Sequence, residues 1–184
     1  MTDQDSSDRL LVGLATVFGQ RGLGGIPPWP AEAFRRFVGL ETAVPLKVGH
    51  LPVAAIYNSG QVVTSVGRAF DFAIVPEAST PPGLLALARL DEGSLGDSLL
   101  AEIRRGLKPW AERRWALSVG GWEYDGHHGH LVLPRELSLT QTPAYPDALI
   151  LAVGADAARV FELLAGRPAH GAHSSKATDP RRAT

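Results

Sequence analysis

A side-chain period of two runs through two short segments and constrains what this chain can fold into. In RRWALSVGGW, Trp115, Leu117 and Val119 alternate with Ala116, Ser118 and Gly120. In ELSLT, Leu137 and Leu139 alternate with Glu136, Ser138 and Thr140. Successive side chains of a strand point to opposite faces, so each segment predicts a strand with one apolar face. A hairpin between them would set the Glu136 face beside the Ser118 face. WALSVGGWEY and HLVLPRELSLTQT as wholes read as strands. The other strand-like runs are LLVGLATVF with a glycine kink, AVPLKVGH, GQVVTSVGRAF, FAIVPEA and GLLALARL.

Three helices break up these strands. PAEAFRRFVG has Pro30 near its first turn and stops at Gly39. SLGDSLLAEIRRGLKPW sets Ser94 and Asp97 at capping-box spacing, carries a Leu99, Leu100, Ile103 stripe and ends at Gly106 and Pro109. Asp156 is the expected cap of DAARVFELLAG, whose apolar residues Val160, Phe161, Leu163 and Leu164 are expected to pack on the sheet. Many strands with three helices predict an α+β domain built on an antiparallel sheet or barrel.

The length of 184 residues fits one domain, and a 45% apolar fraction is enough for a substantial core. No apolar run approaches the ~18 residues of a membrane span, and the polar, acidic MTDQDSSDR start is not a secretory signal. There are no cysteines, which excludes disulfides, thiolate metal sites and a cysteine nucleophile. A cytosolic setting fits. The net charge of −1 is unevenly spread: the tail 167–184 carries four of the 18 basic residues and one of the 19 acidic ones. The acidic excess of the remaining body argues against nucleic-acid binding. Residues 1–9 read as a flexible N-terminus, 10–166 as the folded domain and 167–184 as a disordered tail.

Chemistry could reside in several places. A serine hydroxyl becomes a useful nucleophile when an imidazole takes its proton and a third group holds that imidazole. Ser118, His50 at the end of VPLKVGH, and Glu136 supply those types. An alternating sheet with one polar face would give the same pattern without any chemistry. The small neighbours of Ser118 would leave room for a substrate backbone. His130 and, more weakly, Asp125 are alternative members of such a site. The GHHGH run at 126–130 has no carboxylate or cysteine at a typical metal spacing and reads as a solvated loop. GQRGLGGIPPWP lacks the Lys-Ser/Thr pair of a phosphate loop. Arg104, Arg105, Arg113 and Arg114 read as solvated charges. Trp29, Trp110, Trp115 and Trp122 read as core or rim packing, with Trp122 able to border a groove.

Four segments in order resemble the tailed-phage prohead maturation proteases, which are related to the herpesvirus assemblins. They are GLATVFG (13–19), VPLKVGH ending at His50, LLAEIRRG leading to WALSVGG, and ELSLTQTPAYPDA. They span residue 10 to about 153. The resemblance implies an assemblin-like fold, mainly an antiparallel β-barrel flanked by about three helices. It implies a serine endopeptidase with Ser118 as nucleophile, His50 as general base and Glu136 orienting and charge-stabilising His50. Its substrates would be the scaffolding segment of a capsid protein and the protease itself, with self-association a further expectation. The place of action would be the host cytoplasm or the assembling prohead. No metal, organic cofactor, nucleic acid or membrane is implied. The chain departs from the family pattern in Leu51 and Pro52 after His50, and in Gly121 and Trp122 near Ser118. The alternative is therefore an inactive relative that binds or scaffolds a partner.

Overall fold

The alternating segments form strands that lie side by side. A computed structural model describes residues 7–40, 42–49, 65–76, 78, 81–120, 123–125 and 131–167. In chain order these form β1 (Leu10–Val17), a 3₁₀ turn (Ala31–Phe34) leading into α1 (Arg35–Val38), β2 (Val44–Val48), β3 (Ser65–Val75), β4 (Gly83–Leu90) and α2 (Ser94–Gly106). Then follow β5 (Ala116–Gly120), β6 (Glu123–Asp125), β7 (Leu131–Leu133), β8 (Glu136–Thr140), β9 (Ile150–Val153) and α3 (Ala155–Leu164). Seven strands make one sheet in the order β5-β8-β2-β3-β4-β1-β9, and β6 pairs with β7 separately. Within the large sheet only β2 and β8 run parallel.

Irregular pairings at Leu14/Thr16, Leu46/Lys47 and Ala69/Asp71 interrupt the ladders, and such bulges bend and twist a sheet. The sheet curls until its two edge strands touch. Ala116 bridges Leu149, and the Ile150 N–H donates to the Trp115 carbonyl at 3.1 Å. The expected α+β architecture, a mainly antiparallel curled sheet with three helices, is what forms.

Burial explains the arrangement. β1 is buried along its whole length and β4 at every residue except Arg89. Both strands are apolar nearly throughout, as strands covered on both faces must be. Helix α3 seats Ala157 and Phe161 in the core, and α2 seats Leu99, Leu100 and Ile103. Around the 3₁₀ turn, Trp29 meets Phe34 at 5.2 Å and Tyr145 at 5.8 Å between ring centres.

Several local expectations are corrected. Leu163 does not pack with Phe161. It is 76% exposed, because two positions along a helix turn a side chain by about 200°. Neither expected helix cap forms. Gly93 and Gly154, both at positive φ, precede α2 and α3, and neither helix has a side-chain cap bond. The Asp97 carboxylate instead pairs with Arg9, whose guanidinium also donates to the Asp91 carbonyl at 2.9 Å. The runs 60–70 and 72–78 do not make separate strands: their described parts merge into β3, with the irregularity at Phe70 absorbing the join. Conversely, WALSVGGWEY divides into β5 and β6, and HLVLPRELSLTQT into β7 and β8 across Pro134, which has no N–H for a ladder. Strand β9 was not anticipated. Arg167, the first residue of the expected tail, folds back onto Asp71 at 2.8 Å and lies over the Phe161 ring.

Candidate active site

The pairing of β5 with β8 sets Ala116 opposite Thr140, Ser118 opposite Ser138 and Gly120 opposite Glu136. Residues directly opposite in an antiparallel pair point to the same face. Ser118 and Glu136 therefore share a face, as the alternation predicts. The other face carries Leu117, Leu137 and Leu139, all fully buried in the core. The parallel pairing of β2 with β8 adds Lys47 beside Ser138 on the polar face and Leu46 beside Leu137 on the core face.

Glu136 fits there because Gly120 has no side chain. A Cβ on Gly120 would lie 2.8 Å from Glu136 Oε1 and 3.1 Å from its Cγ. The carboxylate thus folds over Gly120, two residues from Ser118. Its Oε2 accepts from the Lys47 ammonium, in a pair with each side chain about one-fifth exposed. Among the described residues, Oε1 accepts no hydrogen bond. Lys47 is a member of this cluster that sequence reasoning missed. The signal was present in VPLKVGH, where Lys47 interrupts an apolar run, but a lone lysine in a strand does not announce a partner.

Ser118 is 1% exposed, so the room that its small neighbours create is covered. Ser138 is wholly buried, and its hydroxyl has no hydrogen-bond partner among the described residues. Thr140 differs: its Oγ1 accepts from the Thr142 N–H at 3.1 Å. At the end of β2 the Gly49 N–H donates to the Leu139 carbonyl at 2.7 Å. Gly49 has φ 73°, a left-handed turn that suits glycine. The chain is thereby led to β8, beside the Ser118 strand, one residue before His50. His50 itself lies outside the described residues.

Asp125 belongs to β6, in the smaller sheet, and GHHGH with His130 lies outside the described residues. Arg104 donates to the Asp8 carbonyl. Arg113 and Arg114, with Glu112, Leu23, Pro143 and Leu149, line a cleft of about 670 Å³. A neighbouring cleft of about 370 Å³ is lined by Arg105, Arg113, Glu102 and Trp115. Neither is lined by Ser118, Glu136 or Lys47. Trp29 is buried, whereas Trp110 is 79% exposed and serves no core; Trp122 lies outside the described residues. No helix among the described residues is long and apolar enough to cross a membrane.

No protein-family profile and no curated protein matches the chain. Among solved structures, it is similar to the KSHV protease determined in complex with a hexapeptide phosphonate inhibitor, with a TM-score of 0.48 and 13% identity. The alignment covers 77% of this chain and 63% of that one, so it spans less than two thirds of the KSHV protease chain.

Proposed function

We propose that this chain is a serine endopeptidase of the phage prohead maturation type, acting through Ser118, His50 and Glu136. The observation that carries the reading is the shared face of β5 and β8, where Ser118 and Glu136 sit two positions apart across Gly120. The glycine turn that ends β2 against Leu139 supports it, because His50 is the next residue.

In this mechanism Ser118 Oγ attacks the carbonyl carbon of a peptide bond while His50 takes its proton. The tetrahedral intermediate collapses as His50 returns that proton to the leaving amine, leaving an acyl ester on Ser118. His50 then deprotonates water, which attacks the ester and frees the new carboxyl terminus. Glu136 holds the imidazolium through Oε1 while Lys47 anchors Oε2. Backbone N–H groups near Ser118 supply the donors for the oxyanion. Capsid protein with its scaffolding segment, and the chain itself, are the proposed substrates, and self-association is part of the same reading.

The burial of Ser118, with the Lys47 pair on Glu136, favours a second reading: an inactive relative that binds a partner through the same fold. Digestion of a complex peptide mixture, read by mass spectrometry, separates the two. The protease reading expects a recurrent set of cleaved bonds with the native chain and none with Ser118→Ala. Identical peptide sets from both proteins, each folded, would overturn it and favour the binding module.

A further inference from the structure

Lys47, Ser138 and Ser118 occupy one register row across β2, β8 and β5. Two of the three have an evident place: Lys47 is engaged by Glu136, and Ser118 is the proposed nucleophile. Ser138 has none. It is 0% exposed, and its hydroxyl has no partner among the described residues. A buried hydroxyl without a partner is destabilising, and alanine would fill the same strand position without that penalty. The described contacts therefore give the hydroxyl no part in folding.

We infer that Ser138 is a positioning residue for Ser118: its O–H donates to Ser118 Oγ when the Ser118 proton is turned toward the base. This rests on the reading of Ser118 as nucleophile. Directly opposed strand residues have Cβ atoms about 4.5–5.5 Å apart, so one χ1 rotation brings two serine hydroxyls within hydrogen-bond reach. A hydroxyl donates once and accepts twice. Ser118 can therefore give its proton to a base, accept from Ser138 and keep a lone pair for attack. Ser138 keeps its own proton throughout. Its bond strengthens as negative charge grows on Ser118 Oγ, so it acts on the reaction step more than on binding. No other described side chain on this face can do the same. Ala116 and Gly120 have no polar atom, Thr140 is tied to Thr142, Lys47 is held by Glu136, and Ser65, two strands further off opposite Lys47, donates to the Leu46 and Gly67 carbonyls.

The test is the labelling of the full chain by a fluorophosphonate, measured over a range of probe concentrations, beside thermal melting. The proteins are the native chain, Ser118→Ala, Ser138→Ala and Ser138→Thr. The expected result for Ser138→Ala is a maximal labelling rate ~10- to 100-fold lower at an unchanged half-saturating concentration. Its melting temperature should not fall, since an unpaired hydroxyl has been removed. Ser138→Thr, which keeps a hydroxyl, should recover most of the rate. Native labelling that Ser118→Ala abolishes but Ser138→Ala leaves unchanged would overturn this inference alone. A slower Ser138→Ala that also melts lower, with no recovery in Ser138→Thr, would overturn it in favour of a packing role. A folded native chain that takes no label would overturn both it and the nucleophile reading.

Discussion

At the scale of single residues, the proposed site turns on one carboxylate. Glu136 accepts from Lys47 through Oε2, and the proposal assigns Oε1 to the His50 imidazole. If Ser118 and His50 form a catalytic unit, Ser118→Ala and His50→Ala should each reduce peptide turnover by several orders of magnitude. The double variant should be little worse than either, because the members of such a unit are not additive. Glu136→Gln should be milder, since the amide keeps much of the geometry and loses the charge. Turnover of a peptide drawn from the digestion experiment checks all four variants, and near-native rates in His50→Ala would reject that base. Lys47 is tested by stability. Replacing it with Met leaves a largely buried carboxylate without its cation, which should cost about 1–3 kcal/mol in denaturant unfolding. An unchanged midpoint would show the pair to be incidental.

At the scale of strands and helices, what could be read in the sequence followed from periodicity, and what could not depended on contacts distant in sequence. Leu117, Val119, Leu137 and Leu139 set the faces of β5 and β8, and the antiparallel pairing of those strands then puts Ser118 and Glu136 on one face. Nothing in ELSLT or VPLKVGH specified that β2 would lie parallel to β8 and deliver Lys47 to Glu136. Asp97 and Asp156 resembled caps, but positive-φ glycines make those turns and Asp97 joins Arg9 across the fold. Strand β9 was missed because four apolar residues between a turn and a glycine carry no period of their own. Two element-scale predictions follow from the packing. Phe161→Ala should destabilise by about 3–5 kcal/mol, whereas the exposed Leu163→Ala should stay within about 0.5 kcal/mol, both by denaturant titration. Gly120→Ala should push the Glu136 carboxylate off the strand, because the new Cβ would lie 2.8 Å from Oε1. Its turnover should then fall toward that of Glu136→Gln or below, and native turnover would show that Glu136 need not lie there.

For the molecule as a whole, the curled sheet is the frame and α3 closes one side of it. Arg167 ends the described chain by tying α3 to Asp71 and to the Phe72 carbonyl. Truncation after Arg167 should leave the melting temperature nearly unchanged, whereas truncation before Asp156 removes Ala157 and Phe161 from the core and should prevent stable folding. A large loss of stability from the first truncation would make the last seventeen residues a structural element. The central claim is that Ser118, His50 and Glu136 meet at one site, and one distance tests it most directly. In a crystal structure of the full chain, the account predicts a His50 ring nitrogen about 2.6–3.2 Å from Ser118 Oγ, or somewhat longer without substrate, with Glu136 Oε1 facing the other nitrogen. A His50 ring too far from Ser118 for any rotamer change to close the gap would contradict it.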